Sequence, residues 1–164
     1  MRGFIITGTS SGIGHELCKL LLENPNNNII GIGRTQNINH TNYYHFALDL
    51  NNISEIENIE FPSWTNAEQI SLIHNAGWIG PIQKIGNQEL GAITSAYIIN
   101  LVAPAVLSNQ FISMYKSSNA QKVILSISSG AAYTPIGGWS TYCSSKAGLD
   151  LSLIHISEPT RLHG

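Results

Sequence analysis

The sequence predicts a single α/β domain built on a parallel sheet, and three observations point there. Short apolar runs alternate with longer stretches of helical apolar spacing, the pattern of βαβ units. A glycine-rich turn, Thr7-Gly8-Thr9-Ser10-Ser11-Gly12-Ile13-Gly14, joins the first apolar run to the first helical stretch. Near the other end, Tyr142 and Lys146 stand at i and i+4, which puts a phenol and an ammonium on one helix face.

Taken in order, residues 4–7 form the first strand, and residues 14–23 form a helix carrying Leu17, Leu20 and Leu21 on its apolar face. Asn24-Pro25-Asn26-Asn27-Asn28 ends that helix with turn formers. Residues 29–32 and 43–48 give the second and third strands, and a short helix follows around 53–59. The fourth strand, 70–74, runs into Asn75-Ala76-Gly77. A long helix spans 89–115 with Pro104 inside it, where a proline predicts a kink or a close packing point. Residues 122–128 form the fifth strand, and the last helix opens near Ser140 to carry Tyr142 and Lys146.

A chain of 164 residues suffices for one domain with a real core. With 8 Lys+Arg against 10 Asp+Glu, no basic surface advertises nucleic acid or an anionic membrane, and neither is expected as a partner. Cys18 and Cys143 form no Cys-x-x-Cys and no zinc spacing, which suits a reducing cytosol. The apolar run after Met1 is too short for a signal or a membrane span, so a soluble cytoplasmic protein is expected. The scattered histidines include no His-x-x-x-His, and no metal site is expected.

The glycine turn reads Gly8-x-x-x-Gly12-x-Gly14, not the commoner Gly-x-Gly-x-x-Gly. The physical demand is similar: positive φ or close backbone approach, then free N–H groups at a helix start facing phosphate. A plain glycine-rich connection is the competing reading, and its place between first strand and first helix favours dinucleotide binding. Taken alone, Tyr142 is an ordinary helix tyrosine and Lys146 a solvated neighbour. Asn100, set among Ile98, Ile99, Leu101 and Val102, is an amide that burial obliges something to satisfy.

In this order and separation the elements resemble the short-chain dehydrogenase/reductase family. The matching residues are Thr7 to Gly14, Asp49, Asn75-Ala76-Gly77, Asn100, Ser129, Tyr142 and Lys146, with Ser129 thirteen residues before Tyr142. The resemblance implies a doubly wound, Rossmann-like sheet in the order 3-2-1-4-5 and hydride transfer from a nicotinamide dinucleotide to a carbonyl. It implies cofactor contacts from Gly8, Thr9, Ser10, Ser11, Gly12, Ile13 and Gly14, from Asp49 and Leu50 toward adenine, and from Asn75, Ala76 and Gly77. Tyr142 is implied as proton donor. An unperturbed phenol has a pKa near about 10, and Lys146 would favour the phenolate while also bonding the nicotinamide ribose beside Tyr142. Ser129, preferred to Ser128 by spacing, would hold the carbonyl oxygen, and Asn100 would anchor a water relaying protons to Lys146.

Arg34 follows Gly33 after the second strand, where NAD-preferring folds place an acid for the ribose hydroxyls. An arginine suits a 2′-phosphate, so NADPH is the expected cofactor. Asp49 is also a common turn residue. His74 replaces the first asparagine of the family's usual Asn-Asn-Ala-Gly and is expected to be satisfied by backbone. His15 is expected on an exposed helix face, and Cys143 in packing. The segment from Gly137 to Cys143, with Lys146-Ala147-Gly148, is similar to the sepiapterin and benzil reductase branch. That implies a small ketone or vicinal diketone as substrate, with Trp78, Tyr133 and Trp139 lining an aromatic pocket, and a homo-oligomeric parent. The reading from another class is a non-enzymatic dinucleotide-binding regulator, and a further alternative is an inactive fragment of a reductase.

Residues 151–161, LSLIHISEPTR, resemble the conceptual translation of a widely used transposase sequencing adaptor. Residues 1–150 are therefore read as an incomplete dinucleotide-binding catalytic domain, and residues 151–164 as a non-native tail. Roughly two βα units of the family would then be missing, the sheet truncated after a fifth strand that forms an apolar edge.

Overall fold

The computed structural model describes residues 1–157, with side chains described to residue 153. Strands β1 (Arg2–Thr7), β2 (Asn27–Gly33), β3 (Tyr43–Ala47), β4 (Gln69–His74) and β5 (Gln121–Ser126) form one parallel sheet in the order β3-β2-β1-β4-β5. Helices α1 (Gly12–Leu22), α2 (Ile53–Glu57), α3 (Leu90–Tyr97), α4 (Ala103–Tyr115) and α5 (Ser140–Ser157) connect and cover it. The expected fold and strand order are those observed. Pro159, a residue type that would stop the last helix, lies outside the described residues.

β1 is central and buried on both faces, which is why it reads as a continuous apolar run. Phe4 and Ile6 pack with Cys18 and Leu22 of α1, while Ile5 packs on the opposite face with Leu107 and Phe111 of α4. Burial pushes the Cys18 thiol up to about 12, so it stays a packed, protonated group. The Leu90–Tyr115 segment is long and apolar enough to cross a membrane. In this fold Ala103, Leu107 and Phe111 are fully buried and make it a core helix of the sandwich.

Two boundaries differ instructively from expectation. β2 begins at Asn27 because pairing with β1, Arg2 opposite Asn27, recruits turn-forming asparagines into the strand; tertiary pairing overrides local propensity. The expected continuous helix over 89–115 is interrupted by a π turn, Ile98–Val102, closed by the Ala103 N–H donating to the Ile98 carbonyl. Pro104 has no N–H to offer the carbonyl four residues back, that of Asn100, so regular α geometry fails here.

Candidate active site

The glycine turn is held by the end of β4. The Thr7 hydroxyl accepts from the N–H groups of Asn75 (3.1 Å) and Ala76 (3.0 Å). The Asn75 side-chain amide donates to the carbonyls of Thr7 and Gly8, both at 3.0 Å. Gly8 lies at φ 73°, and a Cβ there would sit 2.9 Å from Cα of Ala76. A Cβ at Gly14 would overlap the Asn75 amide. Glycine is thus required by both conformation and contact.

Ser11, in extended conformation before α1, makes no side-chain cap bond, which leaves the first-turn amides of Gly12, Ile13 and Gly14 without a capping side chain. Above them opens a cavity of about 630 Å³, the size of a cofactor cleft. It is lined by Gly8, Ser10, Ser11 and Ile13, by Arg34, Asp49 and Leu50, and by Asn75, Ala76 and Gly77. Of the turn residues, Thr9, Gly12 and Gly14 do not line it: Thr9 is buried and bonds the Tyr43 hydroxyl at 2.9 Å. Arg34 is exposed on the rim directly after β2. The Asp49 carboxylate accepts from the Asn51 N–H at 2.9 Å, forming a local turn, and Leu50 is buried beneath the cleft.

α5 carries the other half of the site. The Lys146 ammonium is buried and donates to the Ile127 carbonyl at 2.8 Å. Burial lowers its pKa, while Asp150 on the same helix works the other way. A Cβ on Gly77 would lie 3.5 Å from Nζ of Lys146 and 3.6 Å from Oδ1 of Asn100. The ammonium therefore lies directly behind Gly77, a wall residue of the large cavity, while Lys146 itself does not line it. Asn100, fully buried in the π turn, accepts from the Trp78 N–H at 2.8 Å and donates to the Trp78 carbonyl at 2.8 Å and the Ser145 hydroxyl at 3.0 Å. Ser145 in turn donates to the Tyr142 carbonyl at 2.9 Å. Both amide hydrogens and one lone pair of Oδ1 are used in fastening the loop after β4 to α5.

Tyr142 is half-buried, meets Trp139 edge-on at 5.7 Å and lines a smaller cavity of about 130 Å³ with Ile79, Ile93 and Ala96. Gln88 braces this wall: it accepts from Thr141 at 2.8 Å and donates to Ser140 at 2.9 Å. Ser129 lies beyond β5 at the start of a 3₁₀ turn, Gly130–Ala132, where its hydroxyl accepts from the Ala131 N–H at 3.2 Å. Ser128 is diverted, donating to Asp150 at 2.7 Å.

Three expectations need correction. Trp78, Tyr133 and Trp139 do not share a pocket: Trp78 lines the large cavity, Trp139 the small one, and Tyr133 is 79 % exposed. Tyr133 follows the 3₁₀ turn on the outer side of the loop, where burial is lost. His74 bonds a side chain, with Nε2 2.8 Å from the Ser108 hydroxyl because β4 ends against α4, and its Nδ1 is buried without a partner. His15 is half-buried, since α1 packs its flank on the sheet. Sequence reasoning missed Tyr43, His45, Gln88 and Ser145; only Ser145, between Tyr142 and Lys146, carried any signal by its place in the helix.

The short chain dehydrogenase family model matches residues 3–157. The chain is similar to a benzil reductase ((S)-benzoin forming) of Bacillus subtilis (strain 168), 36% identical over 158 residues, covering 92% of this chain and 64% of that protein. It is also similar to a sepiapterin reductase of Rattus norvegicus, 27% identical over 124 residues, 70% of this chain and 47% of the relative. The chain thus spans less than two-thirds of the length of either. Among solved structures, 4-hydroxyisoleucine dehydrogenase complexed with NADH superposes with a TM-score of 0.83 at 23% identity, covering 96% of this chain and 67% of that one. At that identity the likeness establishes the fold.

Proposed function

This chain belongs to the short-chain dehydrogenase family, and on that footing we propose that it serves as an NADPH-dependent carbonyl reductase acting on a small ketone or vicinal diketone. The observation that carries the reading is Lys146, buried one turn from Tyr142 and lying behind Gly77, a wall residue of the large cavity. The cleft fits a dinucleotide: close-approach glycines at 8 and 14, an α1 start without a capping side chain, and a cavity of about 630 Å³ with Gly77, the residue in front of Lys146, in its wall. When bound, the nicotinamide supplies the hydride.

The chain's own residues do the rest. The Ile13 amide at the start of α1 holds the pyrophosphate, and Arg34 on the rim takes a 2′-phosphate. Hydride arrival leaves negative charge on the former carbonyl oxygen, which Tyr142 neutralises by giving up its phenolic proton. Lys146 stabilises the phenolate that remains. Its lowered pKa follows from the burial that also strengthens this interaction. Ser129 holds the carbonyl oxygen, and Asn100 keeps Lys146 and the Trp78 backbone in register. The similarity to a benzil reductase supports the diketone class.

Tyr142→Phe tests the assignment. It should lower kcat for diketone-dependent NADPH oxidation by roughly a thousandfold and leave the dinucleotide Kd within about twofold. Dinucleotide binding without turnover on any of a panel of diketones would instead favour a non-enzymatic regulator.

The reading extends to a cytoplasmic protein whose parent is a homo-oligomer, which size-exclusion chromatography with light scattering would test. Residues 151–164 are proposed as non-native on the adaptor likeness alone, since both α5 and the family match run on to residue 157. Sequencing the genomic locus across codon 150 tests that boundary.

A further inference from the structure

On the α1 face of the sheet, β2 presents Gly31 and Gly33 where other strands present side chains. The space is filled from β3 and from the glycine turn. A Cβ at Gly31 would overlap both the Tyr43 hydroxyl and Oγ1 of Thr9. Tyr43 and His45, two residues apart on β3, share this face with their rings stacked at 6.1 Å.

Three hydrogen bonds link the groups in a line. Thr9 and Tyr43 hydroxyls are 2.9 Å apart, the Tyr43 hydroxyl and Nδ1 of His45 3.0 Å, and Nε2 of His45 and the Gly33 carbonyl 3.0 Å. A carbonyl only accepts, so Nε2 carries a proton, and in the tautomer protonated there alone Nδ1 accepts. Tyr43 must then donate to His45, and Thr9 must donate to Tyr43. The chain of bonds runs one way, from the turn that holds phosphate to the last residue of β2. Thr9 and Tyr43 are buried, 1% and 8% exposed, so water competes poorly for these bonds.

One end of the line, Gly33, is a wall of the cleft, and the other, Thr9, adjoins a residue that is. Ser10, next to Thr9, and Arg34, next to Gly33, line the large cavity, and Ser10 also donates to the Thr35 carbonyl at 2.6 Å. We propose that Tyr43 and His45 are positioning residues that fix the separation of the glycine turn from the Arg34-bearing end of β2, and so set selection for a dinucleotide with a 2′-phosphate. Neither touches the dinucleotide; they act through Thr9 and Gly33. The inference rests on the cleft being a dinucleotide site with Arg34 at its adenosine end.

The test is a double-mutant cycle on dinucleotide Kd, read by fluorescence titration with NADPH and with NADH. Tyr43→Phe keeps the ring and removes both of its bonds; Thr9→Val keeps the shape and removes the first. Each should raise the Kd for NADPH about five- to tenfold and leave that for NADH within about twofold. The double variant should be no weaker than the weaker single one. In an Arg34→Gln background, the effect of Tyr43→Phe should vanish. An unchanged NADPH Kd, equal weakening of both dinucleotides, or an effect undiminished without Arg34 overturns the inference. Should Tyr43→Phe fail to fold by thermal melt, the isosteric Thr9→Val decides alone. A wild-type chain that binds neither dinucleotide, or prefers NADH, sinks the NADPH reading itself and this inference with it; wild-type NADPH preference with unaffected variants sinks only the inference.

Discussion

At the end of β4, His74 is 1% exposed, bonded to Ser108 and close enough to Lys146 to feel its charge. Burial first, and that ammonium second, push the imidazole down to about 4. As pH falls from 6.5 toward 4, the unfolded chain takes up a proton that the folded chain refuses, so stability falls over that window. The loss should amount to roughly 3 kcal/mol. Urea unfolding of wild type and His74→Asn across pH 4 to 7 checks it: the variant's curve should be flatter by that amount. At this scale the sequence was partly legible. Tyr142 and Lys146 could be read because four residues make one helical turn, and Asn100 because an amide among isoleucines must bond something. Tyr43 and His45 could not, because their role appears only when β3 lies beside the two glycines of β2.

Among the elements, the π turn has the clearest sequence cause. Pro104 withholds an amide from the Asn100 carbonyl, and the extra residue turns what precedes it by about 100° relative to α4. Asn100 thereby faces Trp78 and Ser145 while α4 keeps Leu107 and Phe111 in the core. Pro104→Ala should let the segment relax toward regular α-helix. The expected outcome is an unchanged or higher Tm together with a kcat lowered at least about tenfold, because Asn100 leaves its partners. Thermal melts and steady-state kinetics on the same preparation check it; loss of both together would mean that the turn is merely structural. The proline and the long apolar helix were visible in the sequence. That the interruption precedes the proline as a π turn was not, since it depends on Asn100 finding the backbone of a distant loop.

For the molecule as a whole, the parallel sheet was legible in apolar runs alternating with helical spacing, and its strand order in the family resemblance. The substrate wall did not, because Gln88, Ser140 and Thr141 meet only after the loop before α3 docks on α5. Among the described residues β5 has a sheet neighbour on one side only, and Leu125 is 46 % exposed on it. An apolar parallel edge of this kind invites pairing with other chains. Leu125→Lys should therefore raise the soluble fraction on expression without lowering Tm, measured by fractionation and melting; unchanged solubility would show that the edge is already protected.

β1 pairs with β2 and β4, and its Thr7 hydroxyl waits for amides 68 and 69 residues downstream. On a ribosome adding roughly 5–20 residues per second, several seconds pass before those partners emerge from synthesis. Through that interval the nascent first strand has one flank bare, and chaperone capture during translation should concentrate there.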